Sequence, residues 1–100
     1  ALPPLTELED LLFRTIDAIS EQARATRLAL DYGFKTLNLH KIFLHVDQEN
    51  EKAIHIYARI GFVQEGVLID EFFANGQYRN AIRMYLLQND YLQAQAGIGT

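Results

Sequence analysis

The chain has no cysteine and no tryptophan, and its only two prolines lie within the first four of its 100 residues. Without cysteine, disulfide frameworks, thiolate metal sites and a cysteine nucleophile are excluded together. Basic residues are also few, because 9 Lys and Arg stand against 13 Asp and Glu, which gives a formal net charge of −4. A protein that neutralises a phosphate backbone carries the opposite sign of charge, so we expect no nucleic-acid partner.

Long hydrophobic runs are missing as well. His, Lys or Asp interrupts each apolar segment well before membrane-spanning length, and the start Ala-Leu-Pro-Pro lacks a basic stretch followed by an apolar one. We therefore expect a cytoplasmic protein with no membrane partner. The composition, 49% hydrophobic and 22% charged, is typical of one globular domain, which we assign to residues 1–100.

The first third of the chain has helical periodicity. Thr6 and Glu9 have the spacing of a capping box, and apolar residues then recur at helical intervals. Residues 22–34 repeat the pattern in a new phase. One long helix or two would fit residues 6–35, and Gly33 indicates that the helix ends near it.

Residues 39–46 have the alternating pattern of a strand. One face would carry Ile42, Leu44 and Val46, and the other would carry Phe43 and His45. Since both faces look largely buried, we predict an interior strand. His40 and His45 would point to opposite faces of that strand, and no carboxylate pair stands at ligand spacing, so we expect no metal site.

A short helix is expected after the polar break at residues 47–50. Its apolar side would consist of Ala53, Ile54, Ile56, Tyr57 and Ile60, and Gly61 would end it.

Asn75-Gly76 predicts a β-hairpin, because this dipeptide suits the two positive φ angles of a type I′ turn. Strands of about 62–74 and 77–87 would flank it. A two-residue turn would pair Phe73 with Tyr78, Ile69 with Ile82 and Val67 with Met84, and a bulge near Gly66 would shift that register. We expect the Gln- and Ala-rich tail after Gln88 to fray and residues 93–100 to be flexible.

The predicted order is therefore a helix or helices, a strand, a helix and two strands that form a C-terminal hairpin. This is an α/β arrangement.

Residues 25–92 resemble the C-terminal half of a GCN5-related N-acetyltransferase (GNAT). The resemblance rests on Leu37-Asn-Leu-His-Lys41, on Asn50-Glu-Lys-Ala-Ile-His-Ile-Tyr57 with Gly61-Phe62, and on Glu71-Phe-Phe-Ala-Asn-Gly-Gln-Tyr78 with Arg83-Met84-Tyr85. Within the superfamily these residues are most similar to the spermidine N-acetyltransferase branch. Ribosomal-protein N-terminal acetyltransferases share much of the pattern and stay an alternative.

The resemblance implies a partial GNAT-like fold and acetyl transfer from acetyl-CoA to a primary amine, such as the polyamine spermidine. It implies that Tyr57 is the general acid that protonates the leaving CoA thiolate. Asn50, Ala53 and Tyr57 are the implied cofactor-binding residues, with Ala53 leaving room for the pantetheine arm. A homo-oligomer is implied as well, because members of the family also assemble.

The sequence departs from the family before residue 25. Ser20-Glu21-Gln22-Ala23 stand where the family has a Gly-rich pyrophosphate loop, the earlier strands are not recognisable, and residues 1–24 read as an atypical helical segment. We therefore expect weak or no turnover from the 100 residues alone, and a non-catalytic oligomerisation or interaction module derived from an acetyltransferase stays an alternative. The edge of strand 39–46 should then be covered, preferably by a second chain.

The acidic residues of the chain are candidates for holding a polycationic amine, although solvated surface is the simpler interpretation. Glu65 and Glu71 are the two that merit testing.

Overall fold

The computed structural model describes residues 21–98, with side chains as far as residue 96. The capping box at Thr6 and Glu9, most of the helix expected over residues 6–22, and the last two residues lie outside that range. The described elements, in chain order, are α1 (residues 21–31, continued by a π-helical turn at Tyr32–Thr36), β1 (Lys41–Asp47), α2 (Glu51–Ile60), β2 (Val63–Ala74), β3 (Gln77–Leu87) and α3 (Gln88–Ile98).

The three described strands form one antiparallel sheet in the order β1-β3-β2. Alternate residues of β3, Ile82, Met84 and Leu86, are buried in a core cluster that also takes residues from each of the three helices. The predicted α/β fold is confirmed, and α2 brings two candidate site residues, Ala53 and Tyr57, against this core.

The end of α1 packs closely against β1. A Cβ added to Gly33 would lie 2.6 Å from Ile42 Cδ1, so only glycine allows this approach without displacing that side chain. The π-helical turn that contains Gly33 closes when the Leu37 N–H donates to the Tyr32 carbonyl at 3.0 Å. The prediction that the helix ends near Gly33 is confirmed.

The prediction that β1 is an interior strand buried on both faces is wrong. Among the described strands β1 pairs only with β3, and the Phe43 side chain is 50% exposed. The guanidinium of Arg83 lies 3.7 Å from the Phe43 ring centroid, a cation–π contact. Arg83 thus covers part of the second apolar face of β1. An interior strand would instead have a layer of packed side chains against that face.

The hairpin turn is confirmed at Asn75-Gly76, whose φ values are 54° and 75°. Phe73 faces Tyr78 as predicted, with ring centroids 5.0 Å apart.

The other two predicted cross-strand pairs are wrong, because β2 contains two register shifts. Ile82 faces Val67 and Met84 faces Gln64. One shift lies between Gln64 and Gly66, where a bulge was foreseen. The other lies between Leu68 and Phe72, where Asp70 has φ 55° and its N–H donates to Asn80 Oδ1 at 3.0 Å.

The frayed end expected beyond Gln88 is wrong over Gln88–Ile98, which form α3. Tyr91 is only 4% exposed, its ring lies 5.2 Å from that of Phe34, and its hydroxyl donates to Asp31 Oδ1 at 2.5 Å. One aromatic side chain therefore attaches α3 to α1, and the flexibility of residues 93–100 stays a prediction.

Candidate functional site

Helix α2 carries all three predicted site residues, and its ends are fixed locally. The Asn50 side chain caps the first turn, since its Oδ1 accepts a hydrogen bond from the Ala53 N–H at 3.2 Å. At the other end Gly61 has φ 128°, and its N–H donates to the carbonyls of Tyr57 at 3.2 Å and Ala58 at 3.1 Å. These caps place Tyr57 in the last two turns of the helix.

The Tyr57 side chain is half-buried and packs against the core cluster. Its ring meets that of Phe62 edge to face, with centroids 5.8 Å apart. Its hydroxyl accepts a hydrogen bond from Gln22 Nε2 at 3.3 Å. The phenol therefore has a fixed ring and a polar tip at the junction of α1 and α2, as a proton donor requires.

Ala53 lies one turn before Tyr57 on the same side of α2, and it is 5% exposed within the core cluster. Asn50 is exposed and lies at the start of the helix. The structure thus brings Ala53 and Tyr57 together against the core, with Asn50 at the helix end next to them. Their contact with a cofactor stays a prediction.

Residues 20–23, which the resemblance puts in the place of the family's Gly-rich loop, are helical from residue 21 onward. Gln22, Thr26 and Leu30 recur every four residues and share one face of α1, and Leu30 is buried in the core. Sequence reasoning treated Gln22 only as a replacement for the loop and missed its contact with Tyr57. The sequence feature that could have predicted this contact is the eight-residue spacing of Gln22 and Leu30, which puts both on one face of the helix.

The loop that leads into α2 is held by an arginine of β3. Arg79 Nε lies 2.8 Å from Asp47 Oδ2, and the same guanidinium is paired with Glu49. The Glu49 N–H also donates to Asp47 Oδ1 at 2.9 Å. These contacts tie the β1–α2 loop, and with it Asn50, to the sheet.

The two acidic residues singled out from the sequence have basic neighbours on the outer side of the sheet. Glu65 pairs with Lys41 Nζ at 2.9 Å and with Arg83 Nε at 3.0 Å. The hydrogen bond from Lys41, followed by that from Arg83, lowers the pKa of Glu65. Glu71 Oε1 lies 3.9 Å from His45 Nδ1. Because two cations already compensate its charge, Glu65 is a weak candidate for binding a polyamine.

Across residues 21–98, no three His, Asp or Glu side chains converge on a point that would suit a metal ion. His40, His45 and His55 are all exposed. Within the same residues, no helix has both the length and the apolar character needed to cross a membrane.

Residues 23–62, which include the whole of α2, match the acetyltransferase (GNAT) family. These residues are therefore similar to part of a GNAT acetyltransferase domain. The chain is 65% identical over 69 residues to the spermidine N(1)-acetyltransferase of Escherichia coli (strain K12), a match that covers 69% of this chain and 37% of that protein. The chain therefore spans well under half the length of the curated relatives that it matches.

Solved structures of spermidine N-acetyltransferases match the fold of this chain over part of their length. A spermidine N-acetyltransferase from Vibrio cholerae, in complex with CoA and spermine, matches with a TM-score of 0.68 and 56% identity over 70% of this chain and 41% of that one. A dodecameric structure of the Vibrio cholerae enzyme in an intermediate state matches with a TM-score of 0.70 and 54% identity over 72% of this chain and 42% of that one. The resemblance noted in the sequence is confirmed.

Proposed function

We propose that the protein transfers an acetyl group from acetyl-CoA to a primary amine, with a polyamine such as spermidine as the acceptor. The observation that carries the proposal is the placement of Tyr57. It lies inside the family match, its ring is fixed against the core, and its hydroxyl is at the junction of two helices.

The proposed reaction needs a proton donor at sulfur. The amine nitrogen attacks the thioester carbonyl carbon, a C–N bond forms, and the C–S bond then breaks. Negative charge passes from the carbonyl oxygen to the sulfur, and the Tyr57 phenol donates its proton to that sulfur, so that CoA leaves as a thiol. The amine loses one proton to solvent, and solvent returns a proton to Tyr57.

The Asn50 side of α2 is the proposed place for acetyl-CoA. Asn50 and Tyr57 are seven residues apart, about two helical turns, so both lie toward one side of the helix with Ala53 between them. In this proposal Asn50 contacts the cofactor, and the small Ala53 side chain leaves room for the pantetheine arm.

The choice of a polyamine as acceptor is supported by the two relatives. The Escherichia coli protein is a spermidine N(1)-acetyltransferase, and the Vibrio cholerae structure holds spermine. The net charge of −4 also favours a polycationic substrate, since a field of opposite sign concentrates it. A ribosomal-protein N-terminus as acceptor stays the alternative within the family.

The proposal includes a homo-oligomer in the cytoplasm. Support for assembly comes from the dodecameric Vibrio cholerae relative and from the free edge that β1 has among the described strands.

A non-catalytic assembly module is the second candidate. The observation that favours it is that residues 21 and 22, which the resemblance puts in the place of the family's Gly-rich loop, are helical and bear side chains. Glu21 also adds a negative charge there, which disfavours a pyrophosphate.

Calorimetric titration with acetyl-CoA, followed by thiol release on addition of spermidine, separates the two candidates. For the enzyme we expect acetyl-CoA to bind to both the wild type and Tyr57→Phe, and thiol release to fall by about 100-fold in the variant, the range of general acid catalysis. The matched control is Tyr32→Phe, because Tyr32 is exposed and lies outside the site. Absence of acetyl-CoA binding to the wild type would favour the module.

A further inference from the structure

The Tyr57 hydroxyl has a partner that comes from far away in the sequence. Gln22 Nε2 donates to the phenol oxygen at 3.3 Å across a separation of 35 residues, and both side chains are half-buried. The contact joins α1 to α2 next to the core. Its acceptor is the Tyr57 hydroxyl oxygen, the group that donates a proton in the proposed reaction.

The phase of α1 directs Gln22 toward α2. Gln22 precedes Thr26 by four residues and Leu30 by eight, so the three residues lie on one face of α1. Because Leu30 is buried in the core, this face packs against the core. Thr26 Oγ1 donates to the Gln22 carbonyl at 2.9 Å, which adds a second tie within this face.

We propose that Gln22 is a positioning residue for Tyr57, an inference that rests on the proposed function. An amide nitrogen only donates hydrogen bonds, so the phenol oxygen must accept from it. The hydroxyl proton of Tyr57 then points away from Gln22 and is left free for another acceptor. In the proposed reaction that acceptor is the thiolate of the departing CoA.

The same contact acts after the proton has moved. When Tyr57 gives its proton to sulfur, its oxygen becomes a phenolate that still accepts the amide N–H of Gln22. A hydrogen bond to an anionic oxygen is stronger than one to a neutral hydroxyl. Gln22 therefore stabilises the charge that develops during proton transfer more than it stabilises the ground state, which is the condition for an effect on kcat.

This role gives a function to a side chain that the resemblance puts in the place of the family's Gly-rich loop. A Gly-rich loop offers backbone N–H groups but has no side chain that could reach a phenol on the neighbouring helix. The competing explanation is that Gln22 fills the space beside the hydroxyl and blocks the sulfur. The two explanations predict different effects when the amide is replaced: the positioning role predicts a lower kcat, and the blocking role predicts an unchanged or raised kcat.

The kinetic test uses Gln22→Met, Tyr57→Phe and the double variant of the full chain, with acetylspermidine detected by mass spectrometry. Methionine has a similar length and no donor. We expect Gln22→Met to lower kcat by about three- to tenfold, the equivalent of one hydrogen bond, with the KM for acetyl-CoA unchanged within about twofold. In the Tyr57→Phe background the same change should have no further effect, because Gln22 acts through the missing hydroxyl. Ala29→Met, at an exposed position of α1, is the matched control.

A second readout does not depend on turnover. With tyrosine labelled at the ring carbon that bears the hydroxyl, the resonance of Tyr57 is the one that Tyr57→Phe removes. We expect this resonance to shift in Gln22→Met and to stay in place in Ala29→Met.

Three results would overturn the inference while leaving the proposed function intact. These are an unshifted Tyr57 resonance, an unchanged or raised kcat in Gln22→Met, and an equal loss of kcat from Gln22→Met with and without the Tyr57 hydroxyl. Full activity in Tyr57→Phe would contradict the proposed function instead. If the wild type forms no product, the proposed function fails for this chain, and the resonance still decides whether Gln22 holds the hydroxyl.

Discussion

At the scale of single residues, Gly61 sets the end of α2 and therefore the position of Tyr57. Its φ of 128° is one that residues with a side chain rarely adopt. We expect Gly61→Ala to lower the free energy of unfolding by about 1–3 kcal/mol, measured by urea denaturation. Gly66→Ala is the control, because nothing lies within 4 Å of its added Cβ and its φ needs no glycine. Equal stability of the two variants would contradict this account of Gly61.

Asn50 combines an observed role as helix cap with a proposed role in cofactor binding, and two substitutions separate them. Asn50→Ala removes the Oδ1 that accepts from the Ala53 N–H, so we expect a loss of about 1 kcal/mol in unfolding free energy. Asn50→Asp keeps a capping oxygen and should retain stability. If Asn50 contacts acetyl-CoA, calorimetry should show weaker binding to the stable Asn50→Asp variant. Unchanged affinity would restrict Asn50 to its structural role.

At the scale of elements, the attachment of α3 to α1 depends on two titrating groups. The hydrogen bond from Tyr91 is the largest cause of a lowered pKa at Asp31. Burial, and then the contact with Asp31, raises the pKa of Tyr91 to about 12. A carboxyl pKa that is lower in the folded chain stabilises the fold at pH values above the pKa of the unfolded chain. This stabilisation is lost as the pH falls below about 4. A raised phenol pKa stabilises the fold below about pH 10, and this stabilisation is lost as the pH rises to about 12.

Tyr91→Phe tests this attachment. At pH 7 we expect the wild type to be more stable than the variant by roughly 2 kcal/mol, the value of a hydrogen bond to a charged group. The difference should shrink between about pH 10 and pH 12, and again below about pH 4. Urea denaturation across this pH range measures it. Tyr32→Phe, at an exposed tyrosine of the turn that continues α1, should change stability little. A difference between wild type and Tyr91→Phe that is independent of pH would contradict the coupling.

The elements that the sequence predicted well are those set by neighbouring residues. Asn50 and Gly61 cap α2, and Asn75-Gly76 closes the hairpin, because each effect needs only a few adjacent positions. The features that the sequence did not predict depend on distant partners. The second bulge of β2 involves Asn80, ten residues after the amide that it binds, and α3 is attached through a tyrosine 60 residues from Asp31.

The candidate site follows the same rule. Periodicity placed Tyr57 on the apolar side of a helix, but its role as an acid came only from the family resemblance. Its contact with Gln22 required the packing of α1 on α2, which no local pattern contains.

At the scale of the whole molecule, the main feature is the free edge of β1. Among the described strands β1 has β3 on one side only, and an apolar edge strand is a surface for association. We expect light scattering to show an oligomer and hydrogen exchange to be slow over residues 42–46. A monodisperse monomer with fast exchange over those residues would contradict self-association through this edge.

The central claim is that Tyr57 supplies the proton for acetyl transfer, and isotope-labelled product tests it most directly. Wild type and Tyr57→Phe, matched for folded fraction, are incubated with spermidine and acetyl-CoA labelled in the acetyl group. Labelled acetylspermidine is then measured by mass spectrometry. The account predicts labelled product from the wild type and about 100-fold less from the variant. Equal amounts of labelled product from both proteins would contradict it.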